Sequence, residues 1–188
     1  KNISIFVRGA ASELARTWSA MQSNVITAIL VIFLLLVILL KSFSMPLIIL
    51  LVVPVASTGG IAALALLNQF IKQPLDMLTM LGFVILTGIV VNNAILLVEQ
   101  TILQVKEEGM QIYDAIVEAT RNRIRPIFMS TLTSLFGLVP LVIFPGAGSE
   151  LYRGIGVVVF GGLALSTFAT LLIVPPLLSV FSKSIKKN

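Results

Sequence analysis

Two asparagines stand side by side at positions 92 and 93, inside the apolar run GIVVNNAILLVE that extends from Gly88 to Glu99. An amide cannot satisfy its own donors and acceptors in hydrocarbon, so such a pair within a membrane helix requires polar neighbours or a wet cavity. Two further groups fall at a compatible depth. Asn92 lies six residues before Val98, about 9 Å of helix, and Ser130 four residues after Pro126, about 6 Å. Arg123 precedes Ser130 by seven residues and Glu99 follows Asn92 by seven, which puts each pair on one helix face where the helix is continuous. Asn92, Asn93, Arg123 and Ser130 are therefore the candidate site. The plainer reading stands beside it: a membrane asparagine often glues helices, a serine often bonds its own backbone, and Glu99, Arg121, Arg123 and Arg125 fit ordinary interface charges.

No reactive constellation accompanies these groups. The sequence has no histidine and no cysteine. It also lacks a phosphate-cradling glycine loop with its lysine and an acid pair within an apolar run. An enzyme is not expected, and neither a cofactor nor a metal site is.

The elements that must position the site are set by composition. Of 188 residues, 57% are hydrophobic and 11% charged, far from a soluble domain; the mean hydropathy is +1.07. An all-α integral membrane protein follows, a bundle of five transmembrane helices. The spans are expected at about residues 22–40, 45–67, 77–98, 126–144 and 154–181, each long enough to cross a core of about 30 Å. Pro54 should bend the second span, and its Ser57 to Gly60 cluster suits close helix packing. Between the third and fourth spans, Met110, Tyr113, Ile116, Val117 and Thr120 mark one apolar face, so a cytoplasmic amphipathic surface helix is expected at about 110–122. The residue before Pro126 resists helical geometry, which predicts a break there. Pro175 and Pro176 should end or kink the fifth span.

Ahead of the spans, Ile3, Ile5 and Val7 alternate with polar residues as in a half-buried strand, and from Ala10 the period becomes helical. Residues 1–21 thus read as a short strand and helix left from a larger extramembrane domain. With no signal-peptide pattern ahead of the first span, the chain is expected to be an internal or C-terminal piece. The net charge of +5 is a topology signal rather than one for nucleic acid. A cytoplasmic tail at 183–188 places eight lysines and arginines inside, against Lys72 and Arg153 in the outer loops, and leaves the N-terminal segment outside.

The ordered motifs are more specific than any one of them. KSFSMPLIILLVVPVASTGG, GIVVNNAILLVE, EEG at Glu107 to Gly109 and DAIVEATRNRIRPIFMSTL from Asp114 follow one another, then GLVPL, GAGSE, GGLALST and VPP. Together they closely resemble the last part of the resistance-nodulation-division exporters. The resemblance implies the C-terminal transmembrane half of a proton-driven multidrug efflux pump, its spans matching the last five of twelve. It implies a homotrimer in the bacterial inner membrane, joined to a periplasmic adaptor and an outer-membrane channel, with residues 1–21 closing a periplasmic porter domain. Paired aspartates in the other half of such pumps carry the proton, facing a lysine, an arginine and a threonine. By motif these positions fall on Asn92, Arg123 and Ser130, with Asn93 beside them. Asn92 departs from the lysine pattern. A heavy-metal exporter of the same family and an accessory membrane subunit without transport are the alternatives, the first disfavoured by the lack of histidine and cysteine.

An opposing ammonium lowers a carboxylate pKa, whereas a neutral amide perturbs it less. The partner acids should therefore titrate higher opposite Asn92 than opposite lysine. In the complete pump, Asn92→Lys is expected to move the pH profile of transport toward acid while Asn92→Leu does not, as read from efflux rates across pH; identical profiles would exclude the effect.

Overall fold

The computed structural model of the protein describes residues 10–144, 146 and 149–181. The strand expected over residues 1–9 and the basic tail at 183–188 lie outside the described residues, as does most of the Pro145 to Gly148 loop. All regular structure among the described residues is helical, in six helices that supply five membrane-spanning lengths.

The first, α1 (Ala10–Leu40), runs without interruption from the extramembrane segment into the first span. Lys41 then takes a left-handed conformation, φ 49°, which turns the chain toward the second span. That span is made of two pieces, α2 (Ser44–Leu50) and α3 (Val52–Asn68). The helix is interrupted at Leu51, one turn before Pro54, although Leu51 itself keeps helical dihedral angles. Pro54 has no N–H to donate to the carbonyl of Leu50, so the ladder opens one turn ahead of the ring.

Asp76 starts α4 (Met77–Lys106) as an N-cap in extended geometry. Its carboxylate accepts from the Thr79 backbone N–H at 2.7 Å and from the Thr79 hydroxyl at 2.6 Å. Such a cap satisfies donors that the first helical turn leaves free. At the other end Gly109 adopts φ 65°, and the N–H of Met110 donates back to the Gln104 carbonyl at 3.2 Å. Only glycine takes that conformation without a side-chain clash, so the reversal into the next helix is written locally.

The next helix corrects an expectation. Residues 110–122 and the fourth span are not separate elements: α5 (Ile112–Ile143) is one helix of 32 residues that passes through Pro126. The proline removes a single bond, to the carbonyl of Asn122, an exposed residue. One missing bond does not offset the cooperativity of nearly nine turns. The amphipathic stretch is thus the first part of α5, whose length of about 48 Å exceeds the hydrocarbon core. Likewise α6 (Ser149–Val180) continues through Pro175 and Pro176 instead of stopping.

The bundle is organised around α6. Of the spans, 56% of that in α6 is buried, against 11% in α1 and in α5. Its small residues set the approach of the neighbours. A Cβ on Gly161 would lie 2.6 Å from the Gly59 carbonyl oxygen and would overlap the Ala63 Cβ; one on Gly59 would lie 2.7 Å from the Gly161 carbonyl oxygen. The backbones of α3 and α6 therefore touch, as small residues allow in membranes. On α4, Leu86, Val90, Ala94 and Leu97 fill the core beside Val158 and Leu163 of α6.

Since backbone cannot yield as a side-chain tip can, Gly161→Ala is expected to cost about 1–3 kcal/mol. A clear fall in the melting temperature of the detergent-purified protein would register it, and an unchanged value would contradict the packing described.

Candidate functional site

The helix carrying the two asparagines has two unlike faces. Leu86, Val90, Ala94, Leu97 and Thr101 of α4 are buried in the bundle. The opposite face exposes Leu81, Ile85, Gly88, Asn92 and Glu99, which recur at three, four and seven residues. Asn92 thus points away from the core formed by this chain. Asn93, turned by one residue, is half-buried. Neither amide makes a side-chain hydrogen bond among the described residues. Gly88, one turn before Asn92, has nothing within 4 Å of the position a Cβ would take, so the surface beside Asn92 is open at backbone level.

The partner helix, α5, has the same two-sided character. Ile127 and Thr131 are buried, while Met129, Ser130 and Thr133 are exposed. The Thr131 hydroxyl lies 2.9 Å from that of Thr167, and Phe128 meets Phe168 edge to face with ring centroids 6.2 Å apart. These contacts fix the rotation of α5 against α6 and leave Ser130 outward. Its hydroxyl donates to the Ile127 carbonyl at 3.0 Å, the backbone bond that the plainer sequence reading anticipated.

Arg123 is half-buried, and its Nη2 donates to Oε1 of Gln100 on α4 at 3.1 Å. That bond sets the vertical register of the hairpin. Seven residues from Gln100 toward the middle of α4 is Asn93; seven from Arg123 toward the middle of α5 is Ser130. Both steps rise roughly 10 Å, and the two helices run in opposite directions, so the asparagines and Ser130 lie at one level and Arg123 lies below them. The four sequence candidates are carried by the wall of two adjacent helices, α4 and α5, with Asn92 and Ser130 exposed and Asn93 and Arg123 half-buried, and no hydrogen bond joins any two of them among the described residues.

Gln100 is the residue that the reading of the sequence passed over. Its signal was present in the seven-residue spacing from Asn93, which repeats a polar group on the same face. Buried polar groups occur elsewhere without joining this wall. Arg153, at the start of α6, is 5% exposed with no partner for Nε, and Gln104 is 2% exposed with none for Oε1. A groove of about 390 Å³ opens between α1, α3 and α4, lined by Val25, Ile26, Ile61, Met80 and Phe83 among others. It belongs to the opposite end of α4 from Gln100 and is almost wholly apolar. No cluster of three or more metal-ligating side chains is found among the described residues.

A model of the AcrB/AcrD/AcrF family covers residues 1–182. The chain belongs to this family. It is accordingly a resistance-nodulation-division efflux transporter chain and, with five spans, a multi-pass inner-membrane protein. Among the relatives is the multidrug resistance protein MdtC of Erwinia tasmaniensis, 36% identical over 173 residues, which cover 90% of this chain and 16% of that protein. MdtC of Pectobacterium carotovorum is 34% identical over 181 residues, 94% of this chain and 17% of the relative. MdtC of an Enterobacter species is 38% identical over the same length. The chain therefore spans about one sixth of the length of these relatives.

The neighbours Ser130 and Thr131 have opposite surroundings, which separates them experimentally. Thr131→Val, which removes one interhelical hydroxyl pair, should cost about 0.6 kcal/mol. Ser130→Ala breaks only a bond within its own helix and should leave stability unchanged. Thermal unfolding of the purified variants distinguishes them, and a larger loss for Ser130→Ala would contradict the assignment.

Proposed function

We propose that the chain is the C-terminal transmembrane part of a proton-driven multidrug efflux pump, with Asn92, Asn93, Arg123 and Ser130 forming its half of the intramembrane proton relay. The observation that carries this reading is the exposure of Asn92. An amide in the middle of an apolar span, without a side-chain partner among the described residues and on a face with open space at Gly88, calls for polar groups beyond them. The relatives are about six times longer, so there is polypeptide to supply them. Their names, multidrug resistance protein, give the substrate class.

The chemistry follows from charge. Carboxylates from the missing half, facing this wall, are favoured in their ionised form by the positive field of Arg123 and by hydrogen bonds from Asn92 and Asn93, and from the Ser130 hydroxyl once it turns from the Ile127 carbonyl. Protonation removes their charge and weakens the hold of the wall. Two packings of the halves thus alternate with one proton event, and each uptake from the periplasm and release to the cytoplasm drives a cycle of drug export. The excess of lysine and arginine in the inner segments supports an N-terminal segment in the periplasm and a cytoplasmic tail. A homotrimer working with a periplasmic adaptor and an outer-membrane channel completes the assembly on the family resemblance.

The test uses the whole pump in proteoliposomes under an imposed pH gradient. Arg123→Ala, Asn92→Leu and Ser130→Ala should each lower drug-coupled proton flux, Arg123→Ala by at least about tenfold, a loss of roughly one charge-assisted hydrogen bond or more. Protein level and assembly should remain normal. Full flux in Arg123→Ala would overturn the relay, and loss of assembly in all three would favour a structural role.

A further inference from the structure

We infer that Gln100 is a positioning residue for Arg123, a neutral brace that aims the guanidinium at the uncovered wall without cancelling its charge. The inference rests on the proton-relay reading of that wall and adds a residue to which neither the motifs nor the relatives assign a role.

The bond between Arg123 Nη2 and Gln100 Oε1, 3.1 Å long, joins α5 to α4 across 23 residues of sequence. It is the side-chain bond that holds Arg123 among the described residues, and no carboxylate among them pairs with the arginine. Glu99, adjacent in sequence, lies on the exposed face and is not its partner. A guanidinium carries five donors in a fixed plane, so fixing one of them sets the direction of the rest. With one donor on Gln100, the remaining edge is available to an acid beyond the wall.

The identity of the brace matters as much as its reach. A glutamate at position 100 would hold the arginine more tightly, yet it would place a negative charge against the guanidinium and compete with the carboxylates that the relay requires. The amide oxygen accepts the same bond and leaves the net charge intact. Because Asn92, Asn93 and Ser130 are neutral, Arg123 is the cation among the four candidate residues. Arginine on a flexible stem otherwise samples many rotamers, each of which weakens the field at a fixed point.

The distinguishing experiment compares Gln100→Glu and Gln100→Leu in the complete reconstituted pump. Gln100→Glu is nearly isosteric and adds an ion pair, so a merely structural Gln100 predicts an equal or higher melting temperature and unchanged transport. A positioning role predicts the same stability with the maximal efflux rate lowered about tenfold and the half-saturating drug concentration unchanged. Gln100→Leu suits an apolar helix and should lower the maximal rate by a similar factor through loss of aim. Should the leucine variant assemble poorly, the glutamate variant decides alone. A maximal rate within twofold of the parent in Gln100→Glu overturns the inference. Arg123→Ala, measured alongside, separates the two levels: if it too retains efflux, the relay reading fails, and if it alone loses efflux, only the brace does.

Discussion

An amide placed in hydrocarbon must find a hydrogen-bonding partner, and the arrangement of this chain follows from where Asn92 can and cannot find one. The inward face of α4 is filled by Leu86, Val90, Ala94 and Leu97, packed against α6. Nothing on that face accepts or donates to a side chain at position 92. The amide is turned the other way, onto a face that the described residues leave exposed. The fold thus has a packed core on one side of α4 and exposed polar side chains on the other.

The packed side explains why the wall is rigid enough to matter. Close contact of α3 with α6 at Gly59 and Gly161 brings backbones together, and such contacts have little freedom to slide. Thr131 with Thr167 and Phe128 with Phe168 then lock the rotation of α5. Arg123 with Gln100 adds the vertical register between α4 and α5. Three separate interactions therefore determine which residues of two helices face outward together. Preorganisation of this kind is what a relay needs, because a charge acts on its partner only when its position is fixed.

Membership in the AcrB/AcrD/AcrF family gives this geometry a setting. The relatives are multidrug resistance proteins of which the chain spans about one sixth.

Hydropathy alone determined the five spans, because a run of some twenty apolar residues has no other stable environment than the bilayer. Local chemistry in the sequence likewise determined the turn at Gly109 and the small-residue approach through the Ser57 to Gly60 cluster. The expectation that Asn92 and Ser130 share one depth was drawn from helical rise alone, measured from Val98 and from Pro126. Continuity through Pro126 was not legible, because the local preference against helix at Arg125 competes with the cooperativity of the turns on both sides, and their sum is not a local property. The outward turn of Asn92 and the bond from Arg123 to Gln100 belonged to the tertiary structure alone. Both depend on the rotation of whole helices about their axes, which is set by packing against α6, and no spacing within a single helix carries that information.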